Sequence, residues 1–484
     1  MGIVLKQTLK NVLVTYVGFS LGAANTLLLY THVMQTSAYG LVQIVLSIAA
    51  VLTPFLALGV PNTLVKYFSS FKNQIQQEGF LTMMLLLPCV IILPLSAASY
   101  LFYEEIGVFL TKKNPVVKEY ITHILFAGIA MGYFEIFYAW AKIRMQSVFG
   151  NFLKEIFCRV AQTSLLLALW LEYISISQFI NALVACYILR TVLMGCYALL
   201  LKNVQLRWVF PKNKSTILKY SLLIILGGST AMVLLEVDKV MLNNFLALDY
   251  IAYYAVAGFI ASVIAVPSRA MHQITYPLTA SQINKGDSGA LKILYHKSSL
   301  TLLIISGLLL LLIFLNLKDL YSMLPLGYSK GLTIVFWLGL VKLYDAALGN
   351  NNAILYNSDY YRTILFFGVL LAGLAVGFNL WLIPTFGING AAIASFSAFF
   401  IYNTLKVFYV KLKFDMLPFT KETRHVVFLM MLTAGVFYFI QFPFHPLLNI
   451  ALKSIFIVLF YTFLLYRFKI SEDIFNVLSK YLKK

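Results

Sequence analysis

Charge is what this sequence has least of. Only 11% of its 484 residues are Asp, Glu, Lys or Arg and 61% are hydrophobic, which leaves too little polar surface to solvate a globular fold of this size. Cysteine is equally scarce: Cys89, Cys158, Cys186 and Cys196 all sit inside apolar runs without metal-ligand spacing. That excludes a disulfide framework or a zinc site and reads as small buried residues. Acidic residues number 18, and none forms a DxD-type site. GxxxxGK[ST], HExxH and GxSxG are also missing, as is any polar segment long enough for an ATPase or glycosyltransferase domain. Work done by such a chain draws on an ion gradient or on the substrate's own gradient. It needs no cofactor, beyond a coupling H+ or Na+.

What the sequence does have is apolar runs of about 20 residues, the length that crosses a bilayer. They fall near 11–34, 38–60, 79–102, 119–141, 155–174, 178–201, 217–246, 250–271, 298–317, 331–349, 361–384, 388–411, 425–442 and 447–468. This predicts an all-α polytopic membrane protein of about fourteen transmembrane helices. The run after Lys6 and Lys10 is long enough to span and is followed at once by a second, so it reads as a retained first helix rather than a cleaved signal.

The formal net charge of +19 raises the question of nucleic acid, and its distribution answers it. With the N-terminus inside, the outer segments carry only Lys112, Lys113, Lys118, Lys318, Lys330 and Lys453, and the other basic residues outside the spans fall on inner segments. This is the positive-inside asymmetry, so no nucleic-acid partner is required and both termini are expected in the cytoplasm. The tail SEDIFNVLSKYLKK (Ser471 to Lys484) reads as a basic amphipathic helix on an anionic leaflet.

A weak internal repeat at an offset of 211 residues pairs Tyr39 with Tyr250, Gln146-Ser147 with Asn357-Ser358, and Lys202 with Lys413. Six spans separate equivalent points, so the halves run parallel. The expected organisation is an N-lobe over 1–210, a C-lobe over 211–414, and two further helices with the basic tail over 415–484.

The stretch LEVDKVMLNNFL (Leu235 to Leu246) puts three charged groups at the end of an apolar run, where each costs about 2.5 to 3.5 kcal/mol at mid-membrane on insertion scales. Glu236 and Lys239 are three apart, share a face and can pair, while Asp238 points elsewhere. The cluster reads either as an interfacial ion pair with a snorkelling Asp or as part of a cavity. Arg190 has no acidic neighbour in its own span and therefore needs a partner elsewhere, a wet cavity or an anionic ligand. Lys342 and Asp345 read as a pair, Glu135 and Arg159 as an ion pair between successive spans, and Lys406 as a residue snorkelling to the inner interface. Arg269 and His272 close a span on the inner side. Asn11, Thr15 and Asn25 make the first span unusually polar.

Three runs carry a family resemblance: SAYGLVQIVLSIAAVLTPFLALGVPNTLVKYFS (Ser37 to Ser69), EVDKVMLNNFLALDYIAYYAVA (Glu236 to Ala257) and LWLIPTFGINGAAIASFSAFFIYNTLKVFYVKLKFDMLPF (Leu380 to Phe419). With the pattern IP-x-x-G-I-x-G-A-A-x-A-S and an Asp-Lys followed by Y-x-x-A, the chain resembles the Wzx-like polysaccharide flippases of the multidrug/oligosaccharidyl-lipid/polysaccharide (MOP) superfamily. The resemblance implies a MATE-like fold of two parallel pseudo-symmetric six-helix lobes plus two C-terminal helices. It also implies a carrier, not an enzyme, in the bacterial inner membrane. Such a carrier turns undecaprenyl-diphosphate-linked oligosaccharide from the inner to the outer leaflet by alternating access, with membrane lipids and polysaccharide-assembly proteins around it. On that reading Arg190, Lys239, Arg269 and Lys342 grip phosphate. Asn11, Thr15, Asn25 and Gln43 line the glycan path, and Glu236, Asp238 and Asp345 bind a coupling ion. The rivals are a drug/cation antiporter of the same superfamily and a membrane-embedded polysaccharide polymerase or acyltransferase. An antiporter is expected to carry an acid in the first two spans, which have none. For the enzyme, His32, His123 and His445 are single and scattered.

Overall fold

The computed structural model describes residues 2–110, 112–201, 205–211, 213–227 and 230–471. Most of the expected tail helix, Gly228 of a Gly227-Gly228 pair and the repeat's Lys202 lie outside them. Among the described residues there is no strand, as the lack of water in a bilayer dictates, since a helix satisfies every backbone group within itself. Among the described residues ten helices are long and apolar enough to cross a membrane, or eleven when Tyr328–Ala347 and Asn351–Asn357, bent by 57° at their break, count as one span. The other expected spans fall on helices too: one carries Lys154, Glu155 and Arg159, one is described in two pieces either side of 228–229, and one begins with Lys421, Glu422 and Arg424.

The chain divides into two compact units, Met1–Ala255 with Ala372–Ile388, and Val256–Leu371 with Asn389–Lys484. In the first unit, α1 (Gly2–Ala24) continues through a π turn at Asn25–Leu29. It is followed by α2 (Thr36–Leu56), α3 (Val60–Tyr67), α4 (Gln74–Leu86) and α5 (Cys89–Leu101). Then come α6 (Tyr103–Leu110) and α7 (Ile121–Ile143), and α8, made of Val148–Phe152, a π turn Leu153–Phe157 and Cys158–Trp170. α9 (Ile176–Leu200) starts with a capping box in which Ser175 and Gln178 satisfy each other's backbone N–H groups. α10 (Lys214–Gly227) and α11 (Thr230–Phe245) lead into α12 (Leu248–Ser262).

α7 packs against both α2 and α9, and α11 lies on α2. Small residues permit these close approaches, the means by which helices associate where lipid offers no hydrophobic drive. A Cβ on Gly128 of α7 would sit 2.9 Å from Leu56 of α2, and one on Gly40 of α2 would sit 2.0 Å from the Leu248 carbonyl oxygen. The core between α3, α4 and α7 is built on Leu64, Phe80, Phe134 and Trp140.

In the second unit, α13 (Val266–Lys285) ends at Gly286 with φ +70°, the left-handed conformation that suits glycine at a helix end. α14 (Ser288–Leu315) packs against α13, against α16 (Leu332–Ala347) and, beyond the short α15 (Leu317–Ser322), against α20 (Lys421–Tyr438). α17 (Asn351–Asn357), α18 (Tyr361–Phe386), which from Ala372 onward belongs to the first unit, α19 (Ile388–Phe414) and α21 (Pro446–Arg467) complete the chain. Leu303, Leu311, Val426, Leu429, Ile457 and Tyr461 form the core of α14, α20 and α21.

The α2–α12 approach gives a direct stability test. Gly40→Ala forces backbone apart and should cost about 1 to 3 kcal/mol, the usual range for overpacking. It should therefore lower the melting temperature of the detergent-solubilised protein. Gly377→Ala, whose Cβ meets nothing within 4 Å, should leave it unchanged.

Candidate functional site

Charges within apolar helices are tolerable only where other protein groups or water satisfy them, and each charged side chain inside the spans can be followed to its partners. On α11, Glu236 lies 2.5 Å from the Lys239 ammonium and accepts a 2.7 Å hydrogen bond from the Ser47 hydroxyl of α2. Lys239 also donates to the Gln43 side-chain oxygen at 3.3 Å. Two residues along a helix is a rotation of about 200°, so Asp238 faces the other way. It is only 3% exposed and accepts hydrogen bonds from the Tyr254 hydroxyl and, at 2.8 Å, from the Asn379 amide. Snorkelling to the interface was one expectation for Asp238. The structure replaces it with a buried carboxylate held between α12 and α18.

Arg190 of α9 is buried as well, at 7% exposure. Its guanidinium stacks over the Phe134 ring at 4.1 Å and lies 4.7 Å from the Tyr187 ring, and Nη1 donates to the Cys158 thiol at 3.6 Å. Among the described residues its Nε has no hydrogen-bond partner and no carboxylate pairs with it. Aromatic faces and a thiol stabilise a guanidinium weakly beside what a carboxylate gives.

The expected pair of Glu135 with Arg159 is not formed. Glu135 pairs with Lys154 at 2.6 Å, and Arg159 with Glu155 at 3.2 Å. The π turn at Leu153–Phe157 is the physical reason. An extra residue in the helix rotates the remainder of α8 by about 100°, and this change of register was invisible in the spacing of apolar residues.

Asn11, Thr15 and Asn25 are used to bind α1 to α8. Asn11 donates to Ser147 at 2.9 Å, and Thr15 accepts from the Asn151 amide at 3.3 Å. Asn25 donates to the Arg159 carbonyl at 2.8 Å and accepts from Thr163 at 2.7 Å. Of the four residues assigned to the glycan path, Gln43 alone joins the charged group on α11.

The second unit holds Arg269, Lys342 and Asp345. Arg269 is exposed on α13, Lys342 lies 5.8 Å from the Phe399 ring, and Asp345 stands 3.9 Å from Lys406. Lys406 does not snorkel: it is 0% exposed, donates to Asn352 at 2.9 Å and lies 4.3 Å over the Tyr402 ring. A tetrad at 349–352, overlooked in the sequence, accounts for this. Gly349 takes φ +58° and breaks the helix, and each asparagine after it is bound to a neighbour. Asn350 donates to Thr279 at 2.7 Å, Asn351 to Tyr295 at 2.6 Å, and Asn352 accepts from Lys406. Three consecutive asparagines in an apolar run were the available signal, because a polar backbone break at membrane depth persists only where protein or water satisfies it.

No family model matches the chain, and neither does any curated relative. Solved structures do. The chain is similar to the lipid II flippase MurJ in an inward closed conformation, with TM-score 0.72 and 15% identity over 95% of this chain and 99% of that one. It is also similar to an inward-facing multidrug resistance MATE transporter of the MOP superfamily, with TM-score 0.55 and 13% identity over 86% and 95% of the two chains. A MOP superfamily transporter from Pyrococcus furiosus, described as having a binding pocket of reverse polarity, gives 0.57 and 12% over 86% and 96%. The protein is thus a multi-span helical membrane protein with the MurJ and MATE fold.

The Glu236–Lys239 group can be tested by a double-mutant cycle. Lys239→Met leaves a half-buried carboxylate without its cation and should destabilise, whereas the double variant with Glu236→Gln should recover part of the loss. A coupling of about 1 kcal/mol or more in thermal melts is expected for such a pair, against a few tenths for a surface one.

Proposed function

We propose that this protein is a flippase that carries a lipid-linked oligosaccharide, an undecaprenyl-diphosphate glycan, from the inner to the outer leaflet of a bacterial cytoplasmic membrane by alternating access. The observation that carries this reading is Arg190: a buried guanidinium whose Nε has no hydrogen-bond partner and which has no carboxylate within ion-pair distance among the described residues suits an external anion. A diphosphate supplies that anion in a form geometrically matched to a guanidinium fork. The fold shared with the MurJ flippase supports the same class of cargo.

The physical task fits. A diphosphate and the hydroxyls of a glycan do not cross hydrocarbon unaided, while a polyprenyl chain is at home there. A protein moving such a molecule needs only to keep its polar head wet and neutralised while the tail stays in lipid. Arg190 and Lys239 of the first unit are assigned to the anionic head, with Gln43 beside Lys239 for sugar. Asp238, buried between Tyr254 and Asn379, is assigned to a coupling H+ or Na+. Asp238 is also what a second reading, a drug/cation antiporter, would use, and efflux of an organic cation from cells distinguishes the two.

Replacement of Arg190 by Ala in cells lacking any redundant flippase should reduce surface glycan at least tenfold at unchanged protein level, and Arg190→Lys should restore part of it. Unchanged export in the Ala variant rules the phosphate role out.

A further inference from the structure

The short helix α6 carries two adjacent acids in its first turn, Glu104 and Glu105, where the N-terminal end of a helix favours negative charge. Only one of them is matched by a cation. Lys118 pairs with Glu104 at 2.5 Å, its ammonium lies 5.6 Å from the Tyr103 ring, and its backbone carbonyl accepts from the Tyr103 hydroxyl at 2.9 Å. A Cβ on Gly107 would sit 3.0 Å from the Lys118 stem, so this lysine lies across α6 and is fully occupied in holding it. Among the described residues no ion pair or hydrogen bond reaches Glu105, whose side chain is exposed.

Glu105 borders a cavity of about 380 Å3, inside the range of about 300 to 1,000 Å3 that small-molecule pockets occupy. The other lining side chains are apolar apart from one hydroxyl, and they include Leu52 of α2, Leu95 of α5, Ile106 of α6 and Ile124 of α7. The hydroxyl is Ser99, which donates to the Ser96 carbonyl at 2.9 Å and is left to accept from a ligand. Three of the walls are helices long and apolar enough to span a membrane, Thr36–Leu56, Gln74–Leu101 and Pro115–Ile143. Beside such helices a carboxylate is costly unless a cation meets it. One end of the cavity therefore offers two acceptors without a donor, and the rest offers hydrocarbon contact. That combination fits an amphiphile with a primary ammonium and an alkyl chain. A membrane supplies this chemistry as an aminophospholipid: its ammonium gives Glu105 charge-assisted hydrogen bonds, and its acyl chain restores the contacts that an empty apolar pocket lacks.

We propose that the cavity between α2, α5, α6 and α7 binds an aminophospholipid, with the ammonium on Glu105 and Ser99 and one acyl chain against Leu52, Leu95 and Ile124. Of the two adjacent acids, Glu104 fastens α6 and Glu105 recognises the headgroup. The site lies within the first unit and does not involve Arg190, so it goes beyond the flippase reading and does not depend on it.

Native mass spectrometry of the full chain, released from nanodiscs of equimolar phosphatidylethanolamine and phosphatidylglycerol, counts the lipid that stays bound. Wild type should retain phosphatidylethanolamine in about threefold excess, the scale of a partly exposed ion pair. Glu105→Gln should bring the ratio to one, and Glu105→Asp should keep part of the excess. Glu119→Gln, which removes the same charge from an exposed residue outside the cavity, should leave the ratio as in wild type. Leu95→Trp, which fills the cavity, should lower the retained phosphatidylethanolamine, with an unchanged melting temperature showing that the variant is folded. Equal retention of the two lipids by wild type, or an undiminished excess in Glu105→Gln, overturns the site. So does phosphatidylcholine held as well as phosphatidylethanolamine, because its headgroup has no N–H to donate. Tetraphenylphosphonium that displaces the lipid from wild type but not from Glu105→Gln assigns the cavity to organic cations and overturns the lipid assignment.

Discussion

The constraint on which this fold depends is the cost of an ionised group in hydrocarbon. In water a lysine or glutamate can stand alone on a surface; in the apolar interior of this chain each must be met by an opposite charge, a dipole, an aromatic face or water. The architecture around the charged helices comes from meeting that demand. α2 supplies Ser47 and Gln43 to the Glu236–Lys239 pair, α18 supplies Asn379 to Asp238, and a tetrad of glycine and asparagines opens a helix so that Asn352 can reach Lys406. Polar residues in the spans thus fall into those that fasten helices together and those left facing something else.

The best satisfied of the fastening residues are Asn25 and Asn350. Both ends of the Asn25 amide are bonded to α8, and Asn350 is bonded to two helices through Thr279 and Ser298. Such groups rigidify a unit, since removing any partner leaves a buried donor or acceptor unsatisfied at about 1 to 3 kcal/mol. Arg190 belongs to the other kind. It is buried at 7% exposure, its guanidinium keeps a donor without a partner, and it is charged, which makes that unmet donor costlier than one on an amide.

Much of this was legible in the sequence because it depends on composition and periodicity. The all-helical membrane class comes from 61% hydrophobic residues in long runs, and the Glu236–Lys239 pairing comes from a spacing of three on one helix face. Interactions between helices were not legible. The partners of Glu135 and Arg159 were exchanged because a π turn changes the register of α8, and nothing in the spacing of apolar residues marks such a turn. Lys406 lies near enough to a helix end to snorkel, and only the asparagines arriving from a break more than fifty residues earlier in the chain make full burial the better solution. Asn11, Thr15 and Asn25 were read as cavity residues from polarity alone, and polarity does not say whether a polar group faces water or another helix.

So basic a chain keeps few acids in its spans. Each buried carboxylate that pairs with a cation removes one positive site from whatever anion the protein handles, and in the first unit Glu236 already occupies Lys239, Glu135 occupies Lys154 and Glu155 occupies Arg159. These pairs fix geometry at the expense of anion affinity. Arg190 is paired less closely: its contacts are Phe134, Tyr187 and Cys158, and the Glu135 carboxylate acts on it only from beyond ion-pair distance. A carrier must also release its cargo on the far side. On the reading proposed above, a guanidinium held by aromatic faces would take up a diphosphate and release it without first breaking a close carboxylate pair.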